Sequence, residues 1–124
     1  PDFMRKMVEY SAAVLKTKAD RAFFINFLTR ISPSCDCRSH TDAAMVRDIG
    51  ILASTDPIAL DQASADLVNS EQALPGTCLD PALGPGHDKF RALFPDVDWS
   101  MQLDYGQDLS LGKREYELEW LDNL

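Results

Sequence analysis

The run Ile49-Gly50-Ile51-Leu52-Ala53 leads without a spacer into Ser54-Thr55-Asp56-Pro57, and this junction limits what the chain can fold into. A short apolar run rich in β-branched residues suits a buried strand. Asp56 then offers a side-chain oxygen to the free amides of a first helical turn, and Pro57 can occupy that turn without giving up a needed donor. Beyond it, Leu60, Ala63, Ser64, Leu67 and Val68 fall on one helical face, so the helix should end near Asn69. A strand passing directly into a helix places the chain in the α/β class.

The remaining pattern supplies the other elements. Phe3, Met4, Met7, Val8, Val14 and Leu15, with Ser11, recur at three- and four-residue steps and predict an amphipathic helix over 3–15. At that spacing Met4 and Met7 read as core filler before metal ligands. The stretch from Ala22 to Leu28 is short, aromatic and nearly uninterrupted, which predicts a central strand buried on both faces. Between Ser70 and His87 the Leu74-Pro75-Gly76 and Gly84-Pro85-Gly86 segments predict a long irregular crossing, able to act as a flexible lid. Phe90, Leu93 and Phe94 mark a short helix stopped by Pro95, and Asp98 can cap another running from Trp99 toward Leu109. Finally, Glu115, Glu117 and Glu119 alternate with Tyr116, Leu118 and Trp120, the period of an edge strand guarded by its glutamates. The fold class expected is α/β, a small mixed sheet of about three strands with flanking helices, part of a larger domain.

Size and charge narrow the function classes. A chain of 124 residues with 45% hydrophobic content can build one domain and not two. It starts at Pro1 with neither an initiator Met nor a signal-like apolar stretch, so it reads as a piece of a longer protein. No window approaches the ~18–20 apolar residues of a membrane span, and three cysteines make no disulfide framework, which together point to a reducing, cytoplasmic setting. A formal charge of −8 repels phosphate backbones and anionic lipid, so neither nucleic acid nor membrane is expected as a partner. The same field serves solubility or a docking face for a basic electron-transfer partner.

Chemistry concentrates between the first two strands. Ser34-Cys35-Asp36-Cys37-Arg38-Ser39-His40-Thr41-Asp42 packs two thiols, an imidazole and two carboxylates into nine residues, in a loop following a strand. Cys35, Cys37 and His40 can turn toward one centre, with Asp42 as a further ligand or as the group orienting the imidazole, and zinc or iron is the metal such donors take. No second Cys-x-x-Cys or His-x-x-x-His completes the site, so other ligands would come from elsewhere. Packed or idle thiols, a solvated loop histidine and redox exchange through a strained Cys35–Cys37 disulfide are the competing readings. Cys78 reads as an incidental thiol and His87 as part of a helix start. Asp48, Asp56 and Asp61 flank the second strand and its helix, where α/β proteins place ligands. Asp56 also reads as a cap and Asp61 as an early-helix charge, whereas Asp48 has no evident local duty. The sequence contains no Gly-x-Ser-x-Gly elbow, no Gly-x-Gly-x-x-Gly and no phosphate-cradling Gly-Lys-Ser or Gly-Lys-Thr.

Taken together, Phe24-Ile25-Asn26-Phe27-Leu28, Ser34-Cys35-Asp36-Cys37, the stretch from Asp48 to Ser64 and Gly112-Lys113-Arg114-Glu115-Tyr116-Glu117-Leu118 resemble the C-terminal part of the domain-of-unknown-function 362 family, uncharacterised iron-sulfur centre proteins. Ala43-Ala44-Met45-Val46-Arg47 departs from the Pro-Ile-Val-Pro run of that family. The resemblance implies that full-length members also carry a ferredoxin-like segment with Cys-x-x-Cys-x-x-Cys motifs, which this chain lacks. The family's four-iron clusters are then expected in that other, N-terminal portion, which becomes the expected packing partner. Two functions follow as expectations: a redox-related domain with a Cys-x-Cys metal site, or a non-catalytic scaffold that packs against the ferredoxin-containing portion.

Overall fold

The computed structural model describes residues 2–18, 21–34, 38–79 and 82–121. Its elements run in the order α1 (Asp2–Lys16), β1 (Phe24–Leu28), β2 (Gly50–Ser54), α2 (Pro57–Ser70), α3 (Lys89–Leu93) and α4 (Ser100–Asp108). The two strands pair antiparallel, with Phe27 opposite Ile51 and Ile25 opposite Ala53.

The expected junction forms as the sequence dictates. Asp56 Oδ1 accepts from the amides of Ile58 and Ala59, each at 2.9 Å, satisfying two of the donors that the first turn of α2 leaves free. Pro57 follows at the start of the helix. Because α2 packs on both strands and on α4, it buries Ile58, Leu60, Gln62, Ala63, Ser64, Ala65 and Val68, more than the single face its periodicity suggests. Gly106 lets α4 approach closely, since a Cβ there would sit 2.4 Å from Ile58 Cδ1. α1 also packs on α4 and buries Val8 and Ala12, Val8 lying within 3.8 Å of the same Gly106 position. Tyr105 donates to Glu9 at 2.8 Å, and the Arg5 guanidinium lies 5.6 Å from the Tyr105 ring centre.

A second cluster, Met45, Ala73 and Leu79 with Ile31, Leu83 and Leu93 against it, anchors the irregular chain after α2. The described part of that crossing is pinned and does not form the free lid its Pro and Gly content suggests. Leu74 N donates to Met45 O at 2.8 Å, Ala73 N to Leu83 O at 3.0 Å and Gly86 N to Asn69 O at 2.8 Å. At its end Asp88 caps α3 by accepting from Arg91 N at 3.0 Å. Lys89 is buried with 1% of its surface exposed, its ammonium donating to the carbonyls of Asn69, Gly84 and His87 at 2.8, 3.2 and 3.3 Å. Burial pushes its pKa down, partly opposed by the carboxylates of Glu71 and Asp88. Asp98 precedes the N-cap position of α4, which is Trp99 and carries no side-chain cap bond; its Oδ1 accepts from Ser100 N and Oγ in a local turn ahead of the helix.

Two expectations about strands are corrected. The first strand is not central and double-faced: Ile25 and Phe27 are exposed while Phe24, Asn26 and Leu28 turn inward, because α2 covers one side of a two-stranded ribbon and no described residue builds a further layer. The third strand does not form among the described residues 115–121. That segment carries the alternation of a strand but has no ladder partner, and ladder hydrogen bonds define a strand. It is held instead by side chains. Lys113 N donates to Asp56 Oδ2 at 2.9 Å, Arg114 Nε to Gln62 Oε1 at 2.7 Å and Tyr116 OH to Asp66 Oδ2 at 3.0 Å. Arg114 also pairs with Asp104 of α4.

Candidate functional site

The loop between β1 and β2 is closed at its base by three backbone-donated bonds. Ile49 N donates to Leu28 O at 2.8 Å, Arg30 N to Asp48 Oδ1 at 2.7 Å and Met45 N to Ile31 O at 2.8 Å. Arg30 holds the left-handed conformation, φ 51°, uncommon for a residue with a side chain. The Asp48 carboxylate fixes that turn, which supplies the local duty its sequence position did not reveal. Met45 and Val46 are buried just inside the base, whereas residues 38–43 are exposed. The result is a surface loop with tethered feet.

Within this loop Cys35 and Cys37 lie outside the described residues. His40 and Asp42 are both exposed, and Asp42 Oδ1 accepts from Ala43 N at 2.9 Å, a local turn bond. Among the described residues no group of three or more His, Cys, Asp or Glu side chains is arranged to hold a metal ion. Cys78 is an exposed free thiol on the separate crossing after α2.

The three strand-flanking carboxylates are dispersed among different tasks. Asp48 closes the loop, and Asp56 divides its two oxygens between the first turn of α2 and the amide of Lys113. Gly112 makes that second contact feasible, because a Cβ there would fall 1.9 Å from Asp56 Oδ1. Asp61 accepts from Asn26 Nδ2 at 2.9 Å, while the same amide lies 3.0 Å from Ser64 Oγ, so strand β1 is hydrogen-bonded to α2 across their interface. Asp61 also lines an open cleft of about 570 Å³ beneath α1, with Met7, Tyr10, Phe24 and Gln102 among its walls.

The feature missed in the sequence is the outer side of the ribbon. Ile25, Phe27 and Ile51 are 50%, 66% and 63% exposed and stand together through the cross-strand register. The signal for it lies in β1, where the outward Ile25 and Phe27 are as apolar as the inward Phe24 and Leu28. Among the described residues no helix is long and apolar enough to cross a membrane.

A family model described as a domain of unknown function, DUF362, matches residues 1–66 of the chain. No curated protein and no solved structure matches it.

Proposed function

This chain belongs to the DUF362 family, a domain of unknown function, and from that premise we propose that it is a non-catalytic packing module whose bare sheet face is covered by the N-terminal portion of a longer polypeptide. The observation that carries the reading is the exposure of Ile25, Phe27 and Ile51 on the side of the ribbon away from α2. A sheet meant to face water alternates apolar with polar residues, whereas one covered on both sides is apolar throughout. A contiguous apolar patch on a folded surface marks an interaction site.

The expected behaviour of the isolated chain is reversible self-association through this patch. The double variant Ile25→Thr/Phe27→Lys should weaken that association at least ~10-fold, since burying each large apolar side chain contributes ~1.5–3 kcal/mol and ~1.4 kcal/mol is a factor of ten. Folding stability should stay within ~0.5 kcal/mol, as expected for surface positions. Sedimentation equilibrium and urea unfolding measure the two quantities. Unchanged association, or a loss of stability of core size, would contradict the proposal.

A second reading, favoured by the tethered loop base, is that Cys35 and Cys37 ligate zinc or iron with His40 or Asp42, in a protein whose chemistry is electron transfer with a redox partner. Thiolate, imidazole and carboxylate donors suit either metal, and a loop with fixed feet limits the entropy lost when its ligands converge. The remaining ligands, and the family's four-iron clusters, would belong to the N-terminal portion. Chain purified without oxygen should carry about one equivalent of metal, and Cys35→Ser/Cys37→Ser should remove it. Metal retained by that double variant sinks this reading.

A further inference from the structure

The free edge of β2 faces a groove of about 590 Å³ whose opposite wall is the extended segment 116–121 and whose floor includes Ala59, Ala63 and Leu67 of α2. β2 is bonded to β1 on one side only, and no backbone hydrogen bond joins Gly50–Ser54 to the wall segment among the described residues. An unpaired strand edge is a template for another strand. The wall is fixed at its start, where Tyr116 OH donates to Asp66 and Arg114 to Gln62. Its Glu117 and Glu119 line the groove and take part in no ion pair among the described residues.

We propose that this groove receives a β-strand from another polypeptide, an extended segment of alternating apolar and basic side chains that pairs with the free edge of β2 between the strand and residues 116–121. The five residues of β2 offer a ladder of about 17 Å at ~3.4 Å per residue. Main-chain bonds to that edge give affinity, the apolar floor of α2 takes one set of side chains, and Glu117 and Glu119 select basic residues in the other. The proposal rests on the reading of the chain as a packing module and adds to its bare face a second contact, at the edge of β2. It also accounts for a segment with strand periodicity and no ladder: its partner strand is the incoming one.

The test uses the whole chain and a fluorescent heptapeptide alternating lysine and valine. Fluorescence anisotropy should detect binding, and amide exchange at Gly50–Ser54 should slow at least ~10-fold, the mark of a ladder closing over the edge. The same peptide with N-methylated alternate amides, or with glutamate replacing lysine, should bind at least ~10-fold more weakly, as should the unmodified lysine–valine peptide to Glu117→Lys/Glu119→Lys. Equal binding of the N-methylated peptide, or protection of β1 alone, would overturn the proposal. So would concentration-dependent protection of β2 without peptide in the Ile25→Thr/Phe27→Lys protein, whose bare face no longer associates, since a second copy would then be the occupant. Ile25→Thr/Phe27→Lys separates the two claims: unlike Ile51, which belongs to both the bare face and the groove, these side chains do not line the groove, so peptide binding should persist when self-association is lost. A variant that still self-associates overturns the packing reading, whatever the peptide does.

Discussion

Asp56→Ala should destabilise the chain by about 2–4 kcal/mol, since it removes an N-cap worth up to ~2 kcal/mol and leaves the Lys113 amide without its acceptor. One carboxylate does both jobs, Oδ1 for Ile58 and Ala59 and Oδ2 for Lys113. Asp56→Asn separates them. Its carbonyl oxygen can still cap α2, but its amide then faces the Lys113 N–H as donor to donor, so about half the loss should remain. Gly112→Ala should cost at least as much as Asp56→Asn, because its Cβ would meet the capping oxygen Asp56 Oδ1 at 1.9 Å and the rest of the carboxylate within 2.8 Å, forcing the segment and the carboxylate apart. Urea unfolding gives the stabilities, and amide exchange at residues 113–116 reports the tether. An Asp56→Ala protein within ~0.5 kcal/mol of its parent would exclude the clamp.

Lys89→Met should cost about 2–3 kcal/mol. The methionine keeps the apolar stem but removes the charge-assisted bonds to three carbonyls, each worth ~1.5–3 kcal/mol before the relief of burying a cation is subtracted. Lys89→Ala should cost more because a cavity is added. The pH dependence identifies the charge. Burial lowers the folded-state pKa of Lys89 below its ordinary 10.5, so between the two values the unfolded chain binds more protons and stability rises with pH. Lys89→Met should abolish that rise. Tyr105, raised chiefly by its bond to Glu9, and Tyr116, raised chiefly by burial, act oppositely, their contributions being lost above their ordinary 10.0. The lysine signal is therefore read as the difference between the parent and Lys89→Met, which share both tyrosines. A Lys89→Met protein whose stability follows alkaline pH as its parent's does, or that is as stable as its parent, would refute this assignment.

What was legible in the sequence is what is decided locally. The β2–α2 junction, the Asp56 cap, the end of α2 and the Asp98 turn follow from neighbouring residues, and each formed where its chemistry placed it. What was not legible depends on distant partners. The alternation of residues 115–120 is genuine, but a ladder needs a second strand, and the chain around Gly112–Tyr116 is instead drawn to α2 by Asp56, Gln62 and Asp66. In β1 the outward pair Ile25 and Phe27 is as apolar as the inward Phe24 and Leu28, so a bare face and a covered one read alike. Asp48 acquires its role only because Arg30 turns left-handed eighteen positions earlier. Lys89 has the composition of a surface residue and becomes a core one through three carbonyls of the preceding crossing. Of the expected metal ligands, His40 and Asp42 lie on the exposed loop whose base Asp48 closes, and of the expected ligand-binding carboxylates Asp56 and Asp61 serve the sheet–helix frame.

The most direct test of the packing module is hydroxyl-radical footprinting of the chain alone and within a full-length polypeptide that contains it. The account predicts that Ile25, Phe27 and Ile51, oxidised readily in the isolated chain, become at least ~10-fold less reactive in the longer protein, while exposed Tyr10 on α1 changes little. Equal oxidation of the three side chains in both proteins would show that the face stays bare and would contradict the central claim.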